Sequence, residues 1–166
     1  MLSAPPRPFI RALALSAVLL AGAAVLTGCS PSVEIAAAQD SANPGCAPMM
    51  VALPDNLAGA ELRTTTTQGT AAWGDPSLVV LRCGVPVLGP TTDRCVTVNG
   101  VDWIIKDGNP DYTLTTYGRD PATQLTLDPN KVSSSSVLAE MSAAAGKVPQ
   151  TRKCLGASDT ESLPAG

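Results

Sequence analysis

Apolar and polar positions alternate most clearly between residues 96 and 105. Asn99-Gly100 reads as a two-residue type I′ turn, since both residues tolerate the positive φ that turn needs. Val98 then opposes Val101 and Val96 opposes Trp103. One face of this hairpin carries Val96, Val98, Val101, Trp103 and Ile105, and the other carries Thr97, Asp102 and Ile104. A register slip of one residue would scramble that division, so the pattern fixes the pairing. Residues 77–85, SLVVLRCGV, form a short Val/Leu run with Pro and Gly at both ends, which predicts a central strand. Residues 112–117 and 122–127 read as strands separated by Gly118-Arg119-Asp120-Pro121, and the threonines of residues 62–68 favour extended backbone. Residues 53–61 predict one helical turn capped by Asp55 or Asn56. A helix is predicted over residues 137–145, with Ser136 as N-cap, Gly146 past its end, and Leu138, Met141 and Ala145 as an inner stripe. These elements predict a small α+β domain: an antiparallel sheet of four to six strands with one or two helices on one face.

The N-terminus has a different character. Arg7 and Arg11 precede an apolar stretch, residues 12–26, too short for a comfortable membrane span. Leu26-Thr27-Gly28-Cys29 closes it and resembles the bacterial lipobox. Charged start, apolar run and small cleavage-site residues together predict a lipoprotein signal peptide over residues 1–28, with Cys29 as the lipid-bearing first residue of the mature chain. The expected product is anchored at the outer face of the cytoplasmic membrane. Residues 29–45, polar and Ala-rich with an Asn-Pro-Gly end, predict a flexible tether holding the domain roughly 20 Å or more from the bilayer. The folded domain is expected over residues 46–154 and a disordered tail over residues 155–166.

Removing 28 of 166 residues leaves 138, with two of the 11 basic residues gone and all 14 acids retained. An acidic chain lacks the basic footprint of a nucleic-acid binder. It contains five aromatic residues, of which Phe9 lies in the leader, so its core is small and cross-links matter. With Cys29 committed to lipid, Cys46, Cys83, Cys95 and Cys154 form an even set that reads as two disulfides. Three pairings are possible; Cys83–Cys95 across consecutive strands with Cys46–Cys154 closing the domain is the preferred expectation. The chain has no His and no CxxC pair, so neither a metal site nor a cofactor is expected.

Ala72-Trp73-Gly74-Asp75-Pro76, Leu81-Arg82-Cys83-Gly84-Val85, Val101-Asp102-Trp103 and Thr115-Thr116-Tyr117-Gly118-Arg119 occur in that order along the chain. The set resembles the actinobacterial secreted family known as domain of unknown function 3515, over residues 46–154. The resemblance implies a small envelope-associated protein and supplies no catalytic residues.

Candidate chemistry is sparse. Trp73 and Asp75 would present an indole and a carboxylate as sugar sites do, although Gly, Asp and Pro favour a plain turn under a packed Trp. Tyr117 and Arg119, beside Asp120, would clamp a carboxylate or phosphate if Arg119 is free, against the simpler reading of an Arg119–Asp120 turn pair. Arg82 lies inside an apolar strand and calls for a partner such as Asp75, Asp102 or Asp120; opening instead into a pocket with Arg119 would make an anion site. Without His, a Ser–His–Asp or Cys–His site is excluded. Asp75 and Asp120 are the only pair to consider for carboxylate-based hydrolysis. The expected function is therefore a lipid-anchored binding or accessory module of the cell envelope, contacting an envelope protein or small ligand. The alternatives are a carboxylate-based hydrolase and a structural spacer.

Overall fold

The Asn99-Gly100 turn joins β5 (Cys95–Val98) to β6 (Val101–Lys106), with φ of 48° and 79° at its two residues and Val98↔Val101 and Val96↔Trp103 paired. The computed structural model describes residues 31–155, and residues from Ser32 on form its compact unit. The leader, Cys29 and residues 156–166 lie outside the described residues. The remaining strands are β1 (Asn56–Leu57), β2 (Ala60–Arg63), β3 (Thr70–Trp73), β4 (Val79–Val85), β7 (Tyr112–Thr116) and β8 (Ala122–Leu127). They form one antiparallel sheet in the order β1-β2-β3-β4-β8-β7-β6-β5. The short helix α1 (Ala47–Met50) and the longer α2 (Ser134–Ala145) complete the fold.

The period-2 pattern decides which sheet face is covered. Val79, Leu81 and Cys83 of β4, Leu125 and Leu127 of β8, Leu114 of β7 and Trp103 of β6 join one buried cluster with Met49, Val137, Leu138 and Met141 from the helices. Each large apolar side chain fully buried there contributes about 1.5–3 kcal/mol. The opposite face carries Arg82, Gln124, Thr126 and Thr113, all half-buried, together with Val80 and the buried Ile104, and is mixed in character.

Several expectations need correction. The sheet has eight strands, not four to six. Residues 53–61 form no helical turn: Ala58 and Gly59, at φ 50° and 84°, make a tight turn between β1 and β2. The helix begins at Ser134, one turn earlier than expected, and its N-cap is Ser133, whose hydroxyl accepts from the Ser136 N–H. Leu138, Met141 and Ala145 are buried as the stripe predicts.

The disulfides are Cys46–Cys83 and Cys95–Cys154, which overturns both preferred pairs. Strand order explains why. β4 and β5 follow one another in the chain but stand four strand spacings apart, about 19 Å. Cys83 also belongs to the helix-covered face, whereas Cys95 pairs with Ile104 on the other.

The expected tether is tied down from Ser32 onward. Val33 bridges Thr65, the Asp40 N–H donates to the Gly84 carbonyl at 3.0 Å, and Ile35 and Ala38 are buried. Gly84, at φ 85°, lets this segment approach: a Cβ there would lie 2.1 Å from the Asp40 carbonyl oxygen. The folded body thus begins at residue 32, not 46.

Candidate functional site

The five side chains singled out for binding do not converge. Trp73 is fully buried on β3, and its indole N–H donates to the Pro54 carbonyl at 2.9 Å, so it is a core anchor. Asp75, exposed in the turn after β3, forms an ion pair with Arg63 at 2.9 Å. Arg82 projects from the face of β4 away from the helices. Its Nη2 donates to Gln124 Oε1 on β8 at 2.6 Å, so an amide stands where a carboxylate was expected. Arg82 is half-buried, and this hydrogen bond rather than an ion pair is what it makes there.

Tyr117 and Arg119 follow β7 at the other side of the sheet. Arg119 is 5% exposed, donates to the carbonyls of Val148 and Gly100, and pairs by backbone with Gln150. It is therefore neither an open anion clamp nor the partner of Asp120. Burial lowers the Arg119 pKa from its usual value, and the nearby Asp102 carboxylate partly restores it. Arg119 Nε has no hydrogen-bond partner.

The residue that organises this region is Asp102. It lies on the face away from the helices, as the alternation requires, yet is only 4% exposed because the segment 146–155 covers it. Its Oδ1 accepts from the Thr97 hydroxyl at 2.5 Å, and its Oδ2 from the Gln150 amide and the Cys154 N–H, each at 2.8 Å. Three donors fix the position and orientation of the carboxylate. The sequence marked Asp102 as outward-facing and gave no sign that distant Gln150 and Cys154 would return over it.

Above this hub lies a cleft of about 300 Å³, lined by residues including Thr91, Asp93, Ile104, Tyr117 and Lys153 and walled by the Cys95–Cys154 bridge. The Tyr117 ring is buried. Asp93 pairs with Lys106 at 3.2 Å. Its pKa is held below the usual carboxylate value, first by the Thr91 hydroxyl and then by Lys106. The cleft thus offers hydroxyls, an ammonium and a fixed carboxylate around an apolar floor, a set suited to hydrogen-bonded recognition. Of the binding candidates read from sequence, it contains Tyr117 alone. Neither Asp75 nor Asp120 lines it or the two other described clefts. Among the described residues, no cluster of three or more metal-ligating side chains is present, and no helix is long and apolar enough to cross a membrane.

A family model described as "Protein of unknown function (DUF3515)" matches residues 9–154. No curated protein and no solved structure matches the chain.

Proposed function

We propose that this chain, which belongs to the DUF3515 family of proteins of unknown function, is an exported lipoprotein held in the membrane through Cys29. On this reading its domain acts as a binding module of the cell envelope, with recognition at the cleft between residues 90–95 and 153–155. One observation carries the anchor. Cys46, Cys83, Cys95 and Cys154 are consumed in two bridges, so of five cysteines the one left is Cys29, directly after Leu-Thr-Gly. Structural disulfides belong to oxidising compartments, which agrees with export. The family match, over residues 9–154, also takes in the whole apolar stretch at residues 12–26, which supports reading that stretch as part of the protein's common design.

Metabolic labelling with a palmitate analogue tests the anchor. The wild-type chain incorporates label and sediments with membranes, and Cys29→Ser does neither. Equal label and equal membrane association in the two would refute the reading. Lys153→Glu tests the cleft: cross-linking from Thr92, replaced by a photoreactive residue, gives an adduct in cell envelopes that the Lys153 substitution abolishes. No adduct at all from Thr92 leaves the domain a spacer.

A further inference from the structure

We infer that one edge of the domain, formed by Pro48, Met50, Val51 and the threonine loop of residues 64–67, rests on the lipid surface at the headgroup boundary. The inference depends on the lipoprotein reading of Cys29 given above.

Val51 is 86% exposed, the highest value among the large apolar residues left in water in the described chain. It follows α1, which turns Met49 into the core and leaves Ala47 and Pro48 outside. Beside them runs a groove of about 240 Å³, bounded by Ser41, Ala47, Met50, Val51, Gln68 and Gly69.

The chain enters the domain at this same edge. The Val33 N–H donates to the Thr64 carbonyl at 2.8 Å, and the Thr66 N–H donates to the Val33 carbonyl at 3.1 Å. Gln68 and Gly69, which border the apolar groove, belong to the loop that holds Val33.

Chain length then selects the occupant. Ser32 begins the compact unit, three residues after Cys29. Three residues reach at most about 11 Å when fully extended. A lipid on Cys29 therefore brings this edge to the bilayer, and a stand-off on a long tether is ruled out.

The chemistry of the edge agrees. Residues 32–51 and 64–69 contain no Lys or Arg, and their only acids are Glu34 and Asp40. Contact is therefore apolar, with Val51 and the half-buried Met50 at the boundary region and the exposed Thr64 and Thr66 facing headgroups, while the Thr65 hydroxyl donates inward to the Thr70 carbonyl. Such seating is set by buried apolar area and does not need anionic lipid.

The test uses the full lipidated protein in phosphatidylcholine vesicles, with and without bromine on the acyl chains. Trp73 and Trp103 are fully buried and give a constant background. Val51→Trp places a reporter on the edge. Asp111→Trp places one beside Tyr112, which pairs through Leu127 to Val79 at the opposite end of β4. The expected result is blue-shifted emission and strong bromine quenching for Val51→Trp, unchanged by salt, with none for Asp111→Trp. Palmitate label and vesicle binding are scored on the same samples. Labelled, vesicle-bound protein in which Val51→Trp stays unquenched, or in which both reporters are quenched equally, overturns the docking edge and leaves the anchor standing. Absence of label overturns both.

Discussion

Gly118 lies directly beneath the carbonyl of Arg152: a Cβ on Gly118 would sit 1.9 Å from that oxygen, and the glycine φ is 70°. The contact lets the Thr151 N–H donate to the Gly118 carbonyl at 2.7 Å and draws the C-terminal segment over Asp102. Both the clash and the left-handed backbone oppose any side chain here. Gly118→Ala is expected to destabilise by about 2 kcal/mol or more and to expose the amides of residues 150–154. Urea unfolding and hydrogen exchange measure the two effects; unchanged exchange in that segment would contradict the account.

Asp102 joins β5, β6 and the C-terminal segment through three accepted hydrogen bonds. Asp102→Ala leaves the Cys154 N–H, the Gln150 amide and the Thr97 hydroxyl short of a partner and removes the carboxylate charge near the buried Arg119. A loss of about 3 kcal/mol or more is expected, since truncation strands several donors at once. Asp102→Asn keeps the shape but turns one acceptor into a donor, and should lie between wild type and Ala in a urea series. Equal midpoints for wild type and Ala would show that the hub contributes nothing.

The two bridges close loops with sequence separations of 37 and 59. On the loop-entropy account each contributes about 4 kcal/mol, with the longer slightly ahead. Non-reducing peptide mapping should return Cys46 linked to Cys83 and Cys95 linked to Cys154. Replacing Cys95 and Cys154 together by Ser should lower stability and loosen residues 153–155 at the cleft, whereas replacing Cys46 and Cys83 should loosen α1. A linked Cys83–Cys95 peptide would reject the strand order.

Asp128 has a pKa below its usual value of 3.8. The largest cause is the Asn130 backbone N–H, donated at 2.9 Å, with the Asn130 amide and Lys131 adding to it against a burial effect of opposite sign. A carboxyl whose folded pKa is depressed contributes stability above its unfolded pKa and loses it as pH falls through the folded value. The advantage of wild type over Asp128→Ala should therefore be full above about pH 4 and shrink in stronger acid. A series of urea midpoints across that range checks this, and an advantage that grows on acidification would reverse the sign.

Much of the fold was legible where side-chain alternation and turn chemistry agree. The Asn99-Gly100 hairpin and the strands over residues 79–85 and 122–127 are such cases, because each has one buried face and clear punctuation. The β1–β2 turn was not legible, because Ala58 adopts a positive φ that alanine rarely takes, while Asp55 and Asn56 imitate a helix cap. Residues 32–43 show no apolar period because backbone hydrogen bonds and a close approach at Gly84 hold them, and neither leaves a hydropathy signature. At the candidate site, Tyr117 was found through its motif. The hub role of Asp102 and the place of Lys153 at the cleft were missed because both arise where residues 150–154 return over the sheet, and their local sequence carries no trace of it.

The cross-links join first to second and third to fourth among the four cysteines, so their loops follow one another and never nest. A chain threading out of a pore N-terminus first would present Cys46 and Cys83 together before Cys95 appears. With Cys29 taken up by lipid, as proposed above, oxidation in order of emergence would yield the native connectivity directly. Such a polypeptide would then call for a thiol oxidase alone, with no shuffling enzyme to undo mistakes.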